Sequence, residues 1–95
     1  MEFEWDEAKA AANLTKHGID FLDAADALRD PRKVDLIDRR RDYGEARFRC
    51  ICAGPDALFA VIYTMRGEDR YRLISARKAN RHEQRQYAQD RPLQT

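Results

Sequence analysis

Apolar positions along this chain keep one period up to Asp30-Pro31 and a different one after it. Asp6 has the chemistry of an N-cap, and the spacing predicts a helix over residues 7–17 with a narrow stripe of small side chains, Ala8, Ala11, Ala12 and Thr15. Gly18 is its expected left-handed stop, and Lys16 and His17 fall in the last turn, where positive charge complements the helix dipole. Asp20 then caps a second helix whose Phe21, Ala24, Ala25 and Leu28 fall at i, i+3, i+4 and i+7. Asp30-Pro31 ends it.

From there the pattern alternates with the period of strands. Residues 33–39 read as one strand and residues 45–53 as the next, with Ala46, Phe48, Cys50 and Cys52 on one side and Glu45, Arg47, Arg49 and Ile51 on the other. Gly54-Pro55-Asp56 is a turn, residues 58–65 form the most apolar strand, and Arg66-Gly67-Glu68-Asp69 turns into a last one. Strict alternation in that last strand puts Tyr71, Leu73, Ser75 and Arg77 on one side and Arg72, Ile74 and Ala76 on the other. Asn80, with Glu83 three residues on, starts a short closing helix through a reciprocal cap. Phe3-Glu4-Trp5 is a short extended start that can add one more strand. The order predicts an α+β fold in which two N-terminal helices pack on a four-stranded, mainly antiparallel sheet, with the helices on one face. At 95 residues the chain is expected to be a single domain, with residues 91–95 frayed.

Charge changes this picture more than composition does. Net charge is +1, yet residues 1–30 carry eight acids against three bases (Lys9, Lys16, Arg29), and the remainder is basic. Fourteen of the 18 basic residues are arginine, whose planar fork grips phosphate in a bidentate way. Cys50 and Cys52 lie two apart on one strand, a poor geometry for a disulfide or a zinc site, and are expected to be reduced core residues. No metal-ligand cluster, P-loop or nucleophile elbow is present, so neither metal nor cofactor is expected. No apolar run approaches the length that spans a bilayer, and Met1 leads directly into Glu2-Phe3-Glu4-Trp5, which predicts a cytoplasmic location.

Arg47, Arg49, Arg66, Arg70 and Arg77 fall on or at the ends of adjacent predicted strands. Several converging on one face would hold successive phosphates of RNA. Hydrolysis there needs a base for the 2′-hydroxyl, cations for the charge on the phosphoryl oxygens and a proton for the leaving oxygen. His17 or Glu45 can supply the proton transfer, and each also has a plain structural role, as a helix-end cation or an arginine partner. A non-catalytic module that binds RNA or protein through the same arginines is the alternative.

Four blocks in order carry a more specific signal. They are Phe3-x-Trp5-Asp6-x-x-Lys9-x-x-x-Asn13-x-x-Lys16-His17-Gly18-Ile19-x-Phe21-x-x-Ala24; Gly44-Glu45-x-Arg47; Tyr63-Thr64-x-Arg66; and Arg72-x-Ile74-Ser75-Ala76-Arg77-x-Ala79-x-x-x-Glu83-x-x-x-Tyr87. Together they resemble the BrnT family of bacterial toxins, with Cys52 standing where that family's glycine is expected and Gly54 two residues later. The resemblance implies a RelE-like fold and a metal-independent endoribonuclease that arrests translation. It implies neutralisation by a cognate BrnA-like ribbon-helix-helix antitoxin, through which alone the pair contacts operator DNA. Carried over by position, the catalytic candidates are Lys16, His17, Glu45, Arg47, Arg66 and Arg77, with Arg49, Arg70 and Lys78 as further RNA-binding residues.

Overall fold

Asp6 caps the first helix as its chemistry predicts: in the computed structural model, which describes residues 1–40 and 42–89, Asp6 Oδ1 accepts from the amides of Ala8 and Lys9. The helix, α1 (Glu7–His17), ends at Gly18, whose φ of 72° is the left-handed conformation that glycine adopts without a Cβ penalty. Asp20 caps α2 (Phe21–Ala27). Before these helices runs β1 (Glu2–Glu4), and after them come β2 (Val34–Ile37), β3 (Phe48–Ala53), β4 (Leu58–Arg66), β5 (Arg70–Lys78) and α3 (Arg81–Gln89). The class is α+β with a five-stranded sheet in the order β1-β5-β4-β3-β2. The extended start thus becomes a true strand, parallel to β5. All other pairings are antiparallel. The fraying expected of residues 91–95 lies outside the described residues.

Phe21, Ala24, Ala25 and Leu28 are all buried with Cys50, Cys52, Phe59, Val61, Leu73 and Ala76, so α1, α2 and one face of the sheet enclose the main core. Each large side chain there contributes about 1.5–3 kcal/mol by leaving water. Both cysteines are free thiols within it, as expected of core residues. Between β3 and β4 the backbone at Gly54 passes under the Phe59 ring: a Cβ there would lie 2.4 Å from Phe59 Cζ, so no larger residue fits without displacing the ring.

Three details depart from the sequence pattern. First, α3 crosses to the opposite face, where Ile51, Ala79 and Tyr87 form a second small core with Val34, Leu36 and Leu58 packed on it. Second, alternation fails in β5, because Ile62 pairs with Ser75 and Tyr63 with Leu73, which leaves Ile74 as an extra, unmatched residue. That bulge puts Ala76 in the main core with Leu73 and sends Ser75 and Arg77 to the α3 face. Third, the small-residue stripe of α1 is exposed; Asn13 is the helix's buried residue, with Ala10 and His17 half-buried beside it.

Asn13 explains why. β1 covers β5 only as far as Arg72, so the outer edge of β5 beyond it has no partner strand. Asn13 takes that place: its Oδ1 accepts from Ala76 N at 3.0 Å, and its Nδ2 donates to Ala76 O at 2.9 Å and to Ile19 O at 3.1 Å. One carboxamide therefore continues the sheet ladder, satisfies backbone groups buried under α1, and ties down the turn after His17.

Candidate nucleic-acid interface

Cross-strand register places Arg49, Arg66, Arg70, Arg72 and Arg77 on one face of the sheet, the face that also carries α3. Of the five arginines expected to converge, Arg49, Arg66, Arg70 and Arg77 share this face and Arg72 joins them, whereas Arg47 lies before β3 rather than on the strand expected from residue 45. Each of them, however, meets a carboxylate, and the three groups so formed differ in tightness.

The tightest group is buried. Glu83 is 2% exposed, and its carboxylate receives both ends of the Arg77 guanidinium, at 2.7 and 2.9 Å, together with Arg49 Nη1 at 2.7 Å. Its Oε1 also accepts from Asn80 N at 2.9 Å, while Asn80 Oδ1 accepts from Glu83 N at 2.9 Å, which completes the expected capping box. Burial alone would raise the Glu83 carboxyl pKa, but the Arg77 bonds, the Asn80 amide and Arg49 outweigh it and hold the pKa at about 2. Arg77 and Arg49 thus fasten α3 to the sheet.

The second group lies at the β1 edge. Arg72 Nη1 donates to Glu4 Oε2 at 2.6 Å, and Arg70 reaches Glu2 at 3.1 Å and Glu4 at 3.6 Å. The Arg72 hydrogen bond lowers the pKa of Glu4. Arg70, expected to bind RNA, joins the N-terminal strand to β5.

The third group is loose and sits at the end of the face that α3 leaves open. Glu45 lies between two arginines, with Arg47 Nε 3.5 Å from Oε2 and Arg66 Nη1 3.4 Å from Oε1. Both distances exceed the 2.7–2.9 Å usual for charge-assisted bonds. The Arg47 guanidinium stacks on the Tyr43 ring, 3.9 Å from its centroid, and Nε is buried without a hydrogen-bond partner. Thr64 Oγ1 donates to Ala46 O at 2.7 Å and so fixes the segment that presents Glu45 and Arg47. A carboxylate held loosely between two cations, one with an unmet N–H, can exchange its partners for phosphoryl oxygens.

Lys16 and His17 stand apart from these clusters. They line a cavity of about 220 Å³ between α1 and β5 together with Lys9, Ala12, Asn13, Ile74 and Ser75. Lys78 lines a different cavity with Gly18, Ile19 and Phe59. Among the described residues no group of three or more histidine, cysteine or acidic side chains is arranged to hold a metal ion. No described helix is long and apolar enough to cross a membrane.

Residues 5–83 match the family model described as the ribonuclease toxin, BrnT, of type II toxin-antitoxin systems. The chain belongs to that family. The crystal structure of the Brucella abortus ribonuclease toxin BrnT is similar in fold, with a TM-score of 0.63 and 26% sequence identity over 85% of this chain and 99% of that one. No curated protein matches the chain. As in other BrnT toxins, the class of target is RNA and the class of partner is an antitoxin.

Sequence reasoning singled out Glu83 only as a cap and a motif residue, and Asn13 only as a motif residue. A buried acid facing two arginines on different strands leaves no sequence signal beyond the cap itself. For Asn13 a signal existed: asparagine is a poor residue for a helix interior, and one placed mid-helix usually has a specific hydrogen-bonding role.

Proposed function

We propose that this BrnT toxin cleaves RNA at the Glu45–Arg47–Arg66 cluster through its own side chains, without a metal ion. The observation that carries the proposal is the loose sharing of Glu45 between two arginines on the open end of the sheet face. Glu45 takes the proton from the 2′-hydroxyl as its oxygen attacks phosphorus. Arg47 and Arg66 turn from Glu45 to the equatorial phosphoryl oxygens, and the unmet Arg47 Nε–H gains the partner it lacks. The P–O5′ bond breaks, and the 5′-oxygen takes a proton from water, to which Glu45 later returns the proton it took; His17 lines the separate groove between α1 and β5 beside Ser75. Lys16 adds positive potential there. The products are a 2′,3′-cyclic phosphate and a 5′-hydroxyl, and atoms balance without a co-reactant.

Arg77 and Arg49 support the cluster indirectly, by holding α3 and by their field; their forks already face Glu83. Incubation of the purified protein with RNA in excess chelator tests the central claim. Cleavage to cyclic-phosphate ends is the expected result, and intact RNA with binding retained would identify a binding module instead.

The antitoxin is proposed to be BrnA-like, with a ribbon-helix-helix domain that alone contacts operator DNA, and to inhibit by covering the open arginine end. Protection of Arg47 and Arg66 from an arginine-modifying reagent in the complex is expected, and unchanged modification would place the antitoxin elsewhere.

A further inference from the structure

We propose that the groove between α1 and β5 is a subsite for the sugar–phosphate backbone of single-stranded RNA flanking the cleaved bond, with Lys9 and Ser75 as residues that touch it. The inference rests on the ribonuclease reading and deepens it by assigning where the neighbouring nucleotide lies.

Arg47, Arg49, Arg66, Arg70, Arg72 and Arg77 each have a carboxylate within 4.0 Å, so a phosphate approaching any of them competes with an internal anion. Lys9 and Lys16 have no carboxylate partner among the described residues, and both are exposed. An incoming phosphate therefore meets two unneutralised ammonium groups in this groove.

Lys9 and Lys16 are two helical turns apart on one face of α1, a rise of about 10 Å. Ala12 and Asn13 lie between them, and the low wall leaves a cavity of about 220 Å³ with Ile74 and Ser75 on the β5 side. Lysines at both ends suit phosphates, and Ile74 offers an apolar contact for a base or sugar between them. The β5 bulge at Ile74 is what turns Ser75 out of strict alternation, and Ser75 Oγ has no hydrogen bond to the described residues. It is free to donate to a phosphate oxygen or accept from a 2′-hydroxyl.

The groove is also built before any ligand arrives. Asn13 bonds β5 twice at Ala76 and the turn once at Ile19, so the two walls cannot drift apart without breaking two hydrogen bonds. A preformed groove loses little ordering entropy on binding.

The test is fluorescence anisotropy of the full chain with a short 2′-O-methyl oligoribonucleotide, which lacks the attacking hydroxyl and is not cleaved, over a series of KCl concentrations. For single strands each neutralised phosphate contributes about 0.7 to the slope of log K against log salt. Lys9→Gln is expected to lower the magnitude of the slope by about 0.7 relative to wild type. Ser75→Ala is expected to weaken binding with the slope unchanged. Arg32→Gln, which removes an exposed charge outside the groove, is expected to match wild type in both.

A Lys9→Gln slope equal to that of wild type, or to that of Arg32→Gln, overturns the subsite, as does absence of binding by the wild-type chain. Cleavage of unmodified RNA, measured separately, distinguishes the two readings. Cleavage with an unaltered Lys9→Gln slope rejects the subsite alone, whereas intact RNA with the expected slope change rejects catalysis and upholds the subsite. Thermal melts of each variant identify any that fail to fold, and Lys9→Met then repeats the charge removal with the helix propensity kept.

Discussion

Replacing Glu83 by Gln isolates the charge that holds α3 to the sheet. Glutamine keeps the length of the side chain and can still serve a capping box, so Asn80 loses little. What disappears is the negative charge between Arg77 and Arg49. The carboxyl group has an ordinary pKa of 4.5 and one of about 2 in the folded chain. At 1.36 kcal/mol per pKa unit this difference corresponds to about 3 kcal/mol. With the residue 2% exposed, solvent screening reduces that figure little.

A carboxylate whose pKa is depressed by folding contributes stability above its unfolded value and loses it as pH falls through the folded one. The contribution of Glu83 is therefore complete above pH 4.5, falls to about 1 kcal/mol near pH 3, and is gone below its folded value of about 2. Urea unfolding of wild type and Glu83→Gln at neutral pH and near pH 3 measures this directly, because the other carboxylates are common to both proteins and cancel in the difference. The expected gap is about 3 kcal/mol at pH 7, shrinking to about 1 kcal/mol at pH 3. A gap independent of pH, or one below about 1 kcal/mol at pH 7, would show that the triad behaves as an exposed ion pair and refute the reasoning.

Arg66→Ala and Arg47→Ala should each slow RNA cleavage by about 10²–10³-fold while leaving the melting temperature nearly unchanged; an unaltered rate in a folded variant would remove these residues from the site. Arg77→Ala, in contrast, should cost about 3 kcal/mol in urea unfolding, because it leaves Glu83 buried with one cation fewer. His17→Gln should leave most of the cleavage rate intact, because His17 lines the groove between α1 and β5 and not the Glu45 cluster; loss of most of the rate in a folded variant would place it at the reacting atoms. Asn13→Ala should destabilise the chain by about 3 kcal/mol, because Ala76 and Ile19 keep buried backbone groups without partners; a loss under about 1 kcal/mol would mean that water replaces the carboxamide.

Local chemistry made much of this fold legible. Asp6, Gly18 and Asp20 bound the first two helices because capping is an interaction between residues two to four apart, and the Asn80–Glu83 box is of the same kind. The sides of β3 were readable for a related reason: alternation follows from the pleat alone wherever pairing is regular, and Cys50 and Cys52 lie in the main core as the pattern requires. The arginines of the sheet were likewise assigned to neighbouring strands, and the motif blocks pointed to the BrnT family that the match over residues 5–83 establishes.

Alternation in β5 misled because a bulge is set by what lies across the ladder, and Ile74 becomes an extra residue only through the pairing of Ile62 with Ser75 and Tyr63 with Leu73. The face used by α1 was equally hidden, since a polar Asn13 is buried there only because β1 ends at Glu4 and leaves the edge of β5 to be completed. Tertiary structure alone also decided which arginines are free to act. Arg77 and Arg49 meet at Glu83 from residues 6 and 34 positions away, whereas Glu45 is shared loosely by Arg47 and Arg66. Sequence fixes which charges a chain carries; whether a given guanidinium faces a buried carboxylate or an open groove depends on distances that exist only once the strands have paired.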